Sequence, residues 1–185
     1  MNVGQLRNQG VELEINSTNF KTKDFEWKTT FNLSHNTNKV VNLDGDQTEI
    51  VSGTQIHKIG HSYRTFYMIE FAGINPENGN PQFYKNDLLE DGSYSKEITE
   101  KASEAKSIML DKHAEPNITG GLYNSFRYKW FDLSFLFNYQ FGGWSYDTWA
   151  QKTEHGGYDM EANIPTYYAD SCKKPGDVTK YEQFY

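Results

Sequence analysis

Four stretches of the chain alternate apolar and polar residues with a period of two, the mark of strands with one greasy and one wet face. In 10–17, Val11, Leu13 and Ile15 point one way, and Glu12, Glu14 and Asn16 the other. In 25–34, Phe25, Trp27, Thr29, Phe31 and Leu33 share a face, opposite Glu26, Lys28, Thr30, Asn32 and Ser34. In 117–128, Ile118, Leu122, Phe126 and Tyr128 oppose Thr119, Tyr123, Ser125 and Arg127. In 131–141 every odd position is apolar or aromatic (Phe131, Leu133, Phe135, Phe137, Tyr139, Phe141), while the even ones are polar except Leu136. Each run is near the ~9–11 residues a tilted strand needs to cross a bilayer, against ~5–6 for an ordinary strand. The pattern predicts an all-β fold: an antiparallel transmembrane β-barrel segment whose apolar positions, Val11, Leu13, Ile15, Phe31, Leu33 and the odd set from Phe131 to Phe141, face lipid.

The connections are of two kinds. Residues 18–24 and 129–130 are short links, whereas long loops are expected at about 36–116 and 142–185. Short turns on one side and long loops on the other distinguish the periplasmic and extracellular rims of such barrels, so the long segments are expected to be extracellular. Within the first loop, 63–71 is rich in strand formers, and the turn-rich Asn75-Pro76-Glu77-Asn78-Gly79-Asn80-Pro81 leads back into Gln82-Phe83-Tyr84. A loop hairpin is favoured there over two further wall strands. Farther on, Ile98, Ala102, Ala105 and Met109 recur every three or four residues, which predicts a short amphipathic helix over 96–112.

Composition sharpens this picture. Only 36% of residues are hydrophobic and mean hydropathy is −0.80, yet 16% are aromatic, a density that demands packing partners. Barrel strands reconcile the two, because half their residues and all their loops are polar. No run of about 18 apolar residues occurs, so a transmembrane helix is not expected. Met1 is not followed by a secretory leader, which for an envelope protein suggests a chain that begins inside a larger one. A net charge of −7 makes a nucleic-acid partner improbable. Cys172 stands alone, excluding an internal disulfide or a cysteine-built metal site.

No catalytic constellation, metal site or cofactor is expected. His57 and His61 have helical spacing, but Ile59-Gly60 between them carries no helical pattern. Glu12 and Glu14 share a strand face as a glycosidase pair would, although wall carboxylates explain them more simply. Asn16-Ser17-Thr18, Asn32-Leu33-Ser34 and Asn117-Ile118-Thr119 match glycosylation acceptors but fall on strands. Trp144, Tyr146, Trp149, Tyr158, Tyr167 and Tyr168 follow the last strand and are candidates for ligand or lid contacts; an interfacial aromatic girdle with loop packing is the competing account. A soluble β-sandwich glycan-binding module is the alternative reading of the whole chain. A secreted glycoside hydrolase lacks a convincing acid/base pair.

A series of short motifs carries a resemblance. Asn2-Val-Gly-Gln-Leu-Arg-Asn8-Gln-Gly10-Val-Glu12 opens the first strand, and Phe25-Glu-Trp27 leads to the Asn-rich exit Asn32-Leu-Ser-His-Asn36-Thr-Asn38-Lys-Val40. Pro116-Asn-Ile-Thr-Gly120-Gly121, Tyr128-Lys-Trp-Phe131-Asp132-Leu133, Phe141-Gly142-Gly143 and Pro175-Gly176-Asp177-Val178-Thr179 follow in order. In that order and spacing they resemble the C-terminal barrel half of SusC/RagA-like TonB-dependent transporters of Bacteroidetes. The resemblance implies part of a barrel of about 22 strands that imports oligosaccharides or peptides across the outer membrane. It also implies a SusD-like lipoprotein as lid, and TonB acting through an N-terminal region. Plug domain and final strands are expected to be absent. Relatives often carry an acidic calcium-type loop; here Leu89 and Ile98 stand where ligands are needed, so calcium is not expected.

Overall fold

Strict alternation keeps a backbone extended, because any other periodicity would mix the two kinds of side chain on one face. The computed structural model describes residues 4–157, 159, 161 and 163–182. Its strands are β1 (Gly4–Lys21), β2 (Phe25–Leu43), β3 (Glu49–Ser52), β4 (Gln55–Lys58), β5 (Thr65–Met68) and β6 (Phe71–Ile74). They continue with β7 (Pro81–Tyr84), β8 (Ile98–Thr99), β9 (Ile108–His113), β10 (Pro116–Tyr128) and β11 (Phe131–Gly142) before one short helix, α1 (Thr148–Thr153). The main sheet has the order β1-β2-β10-β11, every pair antiparallel. Two smaller sheets follow the orders β3-β4-β5-β9 and β6-β7-β8.

The chain divides into two units. The first, residues 4–66 with 111–144, contains the main sheet. Its two tight turns lie side by side: Thr22 N–H donates to the Phe25 carbonyl (2.7 Å), and Lys129 N–H reaches the Asp24 carbonyl (2.7 Å). At the opposite end the chain leaving β4 is bonded to β2. Gly60 N–H donates to the Val40 carbonyl (2.8 Å), Val40 N–H to that of His61 (2.9 Å), and Tyr63 N–H to Asn38 Oδ1 (2.6 Å). Val40, Leu43, Ile56 and Phe66 are buried there. The ring of His57 stacks on Tyr63, and burial, then the neighbouring Arg64 charge, hold the imidazole below the ordinary histidine range.

The second unit, residues 67–110 with 145–182, holds the β6-β7-β8 sheet, α1 and loops tied by polar contacts. Lys85–Glu97, Lys96–Glu70 and Lys106–Asp87 each close to 2.6 Å. The Pro175-Gly176-Asp177 turn is pinned by Asp177 Oδ2, which accepts from Lys173 and Lys174 N–H, and Gly176 N–H donates to the Pro76 carbonyl (2.7 Å).

Three local expectations need correction. The first two strands are longer than their alternation, running to Lys21 and Leu43, and only residues 22–24 separate them. Backbone pairing continues where the strict alternation lapses, so the ladder outlasts that signal. The helix expected over 96–112 is absent. Ile98–Thr99 and Ile108–His113 are strands, joined by a 3-10 turn at Ala102–Glu104. Thr99 Oγ1 accepts from Lys101 N–H and donates to Glu104, local bonds that compete with helix formation. The expected hairpin exists, but its outgoing strand is Phe71–Ile74 rather than 63–71, and β5 joins a different sheet.

Candidate functional site: the two faces of the main sheet

Residues directly opposite in an antiparallel pair lie on the same face, so the register places the side chains. One face is a stack of cross-strand rows: Val11–His35–Ile118–Phe141, Leu13–Leu33–Gly120–Tyr139, Ile15–Phe31–Leu122–Phe137 and Ser17–Thr29–Asn124–Phe135. Toward the tight turns follow Phe20–Trp27–Phe126–Leu133 and Phe25–Tyr128–Phe131. Every position expected to face lipid therefore falls on one surface. Among the described residues no second layer covers it: Phe131, Phe135 and Phe137 are 54%, 39% and 61% exposed. A β-sandwich would have buried them.

The band has a measurable height. Phe131 to Phe141 spans ten residue steps of β11, about 34 Å at ~3.4 Å each. At a tilt of about 40° this gives about 26 Å, matching the ~25 Å apolar belt of outer-membrane barrels. Rings crowd its tight-turn end. Trp27 stacks on Phe126 (5.5 Å), Phe126 on Phe135 (5.9 Å), and Phe135 meets Phe137 edge-on (5.3 Å).

Two features of this face were not legible as sequence. Asn124 occupies an apolar position, and its Oδ1 accepts from Trp27 Nε1 (3.0 Å) and Thr29 Oγ1 (2.7 Å). Asn19 Nδ2 in turn donates to Thr29 Oγ1 (2.5 Å). The one clue was parity, since Asn124 sits in phase with Leu122 and Phe126. Second, Tyr139 lies over Gly120 and donates to the Asn32 carbonyl (2.7 Å). A Cβ at Gly120 would collide with that ring and carbonyl, so the glycine makes room for the tyrosine.

The other face is polar. Its rows read Glu12–Ser34–Thr119–Gln140, Glu14–Asn32–Gly121–Asn138, Asn16–Thr30–Tyr123–Leu136 and Thr18–Lys28–Ser125–Ser134. Thr30 Oγ1 donates to Asn16 Oδ1 (2.6 Å), and Asn16 Nδ2 to Glu14 (2.7 Å). Glu26, 7% exposed, gathers Lys21 (3.1 Å), Lys28 (3.2 Å) and Arg127 (2.9 Å) from three strands. Glu12 and Glu14 thus sit in successive rows of this polar face.

The aromatics after β11 fall in both units. Trp144, in the first unit, carries Lys112 Nζ over its ring (4.2 Å). In the second unit Trp149 sits on α1, 75% exposed, beyond the Asp147 cap that accepts from Trp149 and Ala150 N–H. Tyr146 is half-buried. Tyr167 donates to Glu154, which with burial pushes its phenol up to about 12. Tyr168 is 4% exposed and packs on Tyr181 (4.8 Å), so its ring serves the core of this segment. Tyr158 lies outside the described residues. Among the described residues no cluster of His, Cys, Asp and Glu suited to a metal occurs.

No family model matches the chain. It is 34% identical over 157 residues to the TonB-dependent receptor P3 of Formosa agariphila, covering 77% of this chain and 16% of that protein. To the TonB-dependent receptor SusC of Bacteroides thetaiotaomicron it is 28% identical over 148 residues, covering 72% and 14%. A solved structure of the RagAB peptide transporter superposes with a TM-score of 0.86 at 27% identity, covering 99% of this chain and 20% of that one. The chain therefore spans about a fifth or less of the proteins it matches. With the two-faced antiparallel sheet, these likenesses identify the chain as a β-barrel segment of a SusC/RagA-like TonB-dependent transporter.

Proposed function

We propose that this segment is part of the wall of an outer-membrane importer that takes up oligosaccharides or peptides with TonB supplying the energy. The carrying observation is the segregation of the main sheet into an uncovered apolar band about 26 Å tall and a face that is polar apart from Tyr123 and Leu136. Val11, Leu13, Ile15, Phe31, Leu33 and the odd positions from Phe131 to Phe141 meet lipid in this reading. Glu12, Glu14, Asn32 and Asn138 line the water-filled interior. The tight turns are periplasmic and the two smaller sheets extracellular. There, Trp144, Tyr146, Trp149 and Tyr167 are available to touch substrate or a SusD-like lipoprotein lid. TonB acts through a region outside this chain. The segment is a conduit wall rather than an enzyme.

Arginines three residues apart on opposite faces of β11 test this. In the full-length importer, Phe135→Arg places a charge on the lipid side and is expected to cost about 2–4 kcal/mol in a membrane-inserted barrel. Asn138→Arg, on the interior side, is expected to insert normally. Urea unfolding in vesicles reads both. Equal tolerance of the two substitutions would refute the wall.

A further inference from the structure

Above the apolar band the same face of β1 and β2 turns polar in two steps. The Val11–His35 row is followed by Gln9–Thr37 and then by Arg7–Lys39. Arg7 and Lys39 are direct cross-strand partners, and both are exposed. Like charges in that position repel and destabilise the pair unless an anion sits between them. Among the described residues no carboxylate pairs with either cation.

Height decides what the anion is. Lys39 lies four residues beyond His35, about 14 Å along the strand and about 10 Å along the normal at ~40° tilt. The headgroup layer adds roughly 5–8 Å beyond the hydrocarbon on each side, so the two backbones stand just above it and the long Arg7 and Lys39 side chains reach down into it. In the row below the cations the Thr37 hydroxyl is spent on the Gln9 carbonyl (3.1 Å), which leaves the exposed Gln9 side-chain amide as a hydrogen-bond donor beside them. A phosphate there would meet two cations and keep its acyl chains against Val11, Ile118 and Phe141.

We infer that Arg7 and Lys39 form a binding site on the outer surface of the barrel for the phosphate of an anionic lipid headgroup in the leaflet on the loop side. The inference rests on the wall reading, because it requires this face to meet lipid. The site would anchor the segment at a fixed depth, with each cation contributing to retention of the lipid.

Native mass spectrometry of the full-length importer tests it, with phosphatidic acid titrated against wild type and the R7Q/K39Q variant, and phosphatidylcholine as reference lipid. Wild type is expected to bind phosphatidic acid about tenfold or more tightly than the variant, with no difference for phosphatidylcholine. Equal binding by the two proteins overturns the site. So does displacement of phosphatidic acid by equimolar inorganic phosphate, which would mark a small-anion site indifferent to lipid. Membrane flotation of the same samples separates the failures. A variant and wild type that both float, yet bind phosphatidic acid alike, sink this inference and leave the wall standing; proteins that do not float sink both.

Discussion

Asn124 shows how a polar residue can occupy an apolar surface. It is buried beneath its neighbours, and its carbonyl oxygen is shared by the Trp27 indole and the Thr29 hydroxyl. With Asn19 donating to Thr29, the groups satisfy one another and present rings outward. Truncating Asn124 to Ala strands two donors in a low-dielectric layer, where an unmet hydrogen bond costs about 1–3 kcal/mol. Asn124→Ala is therefore expected to lose stability in that range in vesicle-inserted protein. Trp27 fluorescence during urea unfolding reads the loss directly, and an unchanged midpoint would show that the network contributes nothing.

The turn between β6 and β7 is held from outside itself. Asn75, Asn78 and Asn80 all donate side-chain amides to Glu100, while Asn75 and Asn78 use their Oδ1 atoms to accept from Glu77 and Asn80 N–H. Those three amides, that of Asn80 foremost, keep the Glu100 carboxyl below its ordinary 4.5. A depressed value in the folded state means the clamp is fully present above the ordinary carboxylate value and is lost as pH falls through the lower one. Exchange of the Gly79 amide, bonded to the Asn75 carbonyl (2.8 Å), follows the clamp. Corrected for intrinsic rate, its exchange is expected to rise on acidification below pH 4.5. In Glu100→Ala it is expected to be fast already at neutral pH, with no further acid step. A pH-independent wild type would exclude the mechanism.

β1 and β11 bound the main sheet, and among the described residues their outer edges are unpaired. A row of open donors and acceptors in hydrocarbon is costly, which is why spanning sheets close into barrels. Four strands are too few to close. Excised from its parent protein, this chain is expected to aggregate in plain buffer and to disperse only in detergent. Size-exclusion chromatography with light scattering distinguishes the two, and a monodisperse, detergent-free monomer would contradict the exposed band.

Side-chain parity is a local property, and the chain alone specified it. Leu13, Phe31, Leu122 and Phe137 each announced their face through their immediate neighbours, and the length of each run announced a crossing. What the chain could not announce is register, because pairing β2 with β10 across a long insertion depends on contacts between residues far apart in sequence. Only the assembled sheet set Asn124 beside Trp27, Tyr139 over Gly120 and Arg7 against Lys39. It also carried β1 and β2 past their apolar stretches, where backbone hydrogen bonds persist without hydrophobic alternation. At 96–112 tertiary pairing overrode a helical period, because Ile108 gained more from burial in a strand than an isolated turn of helix could supply.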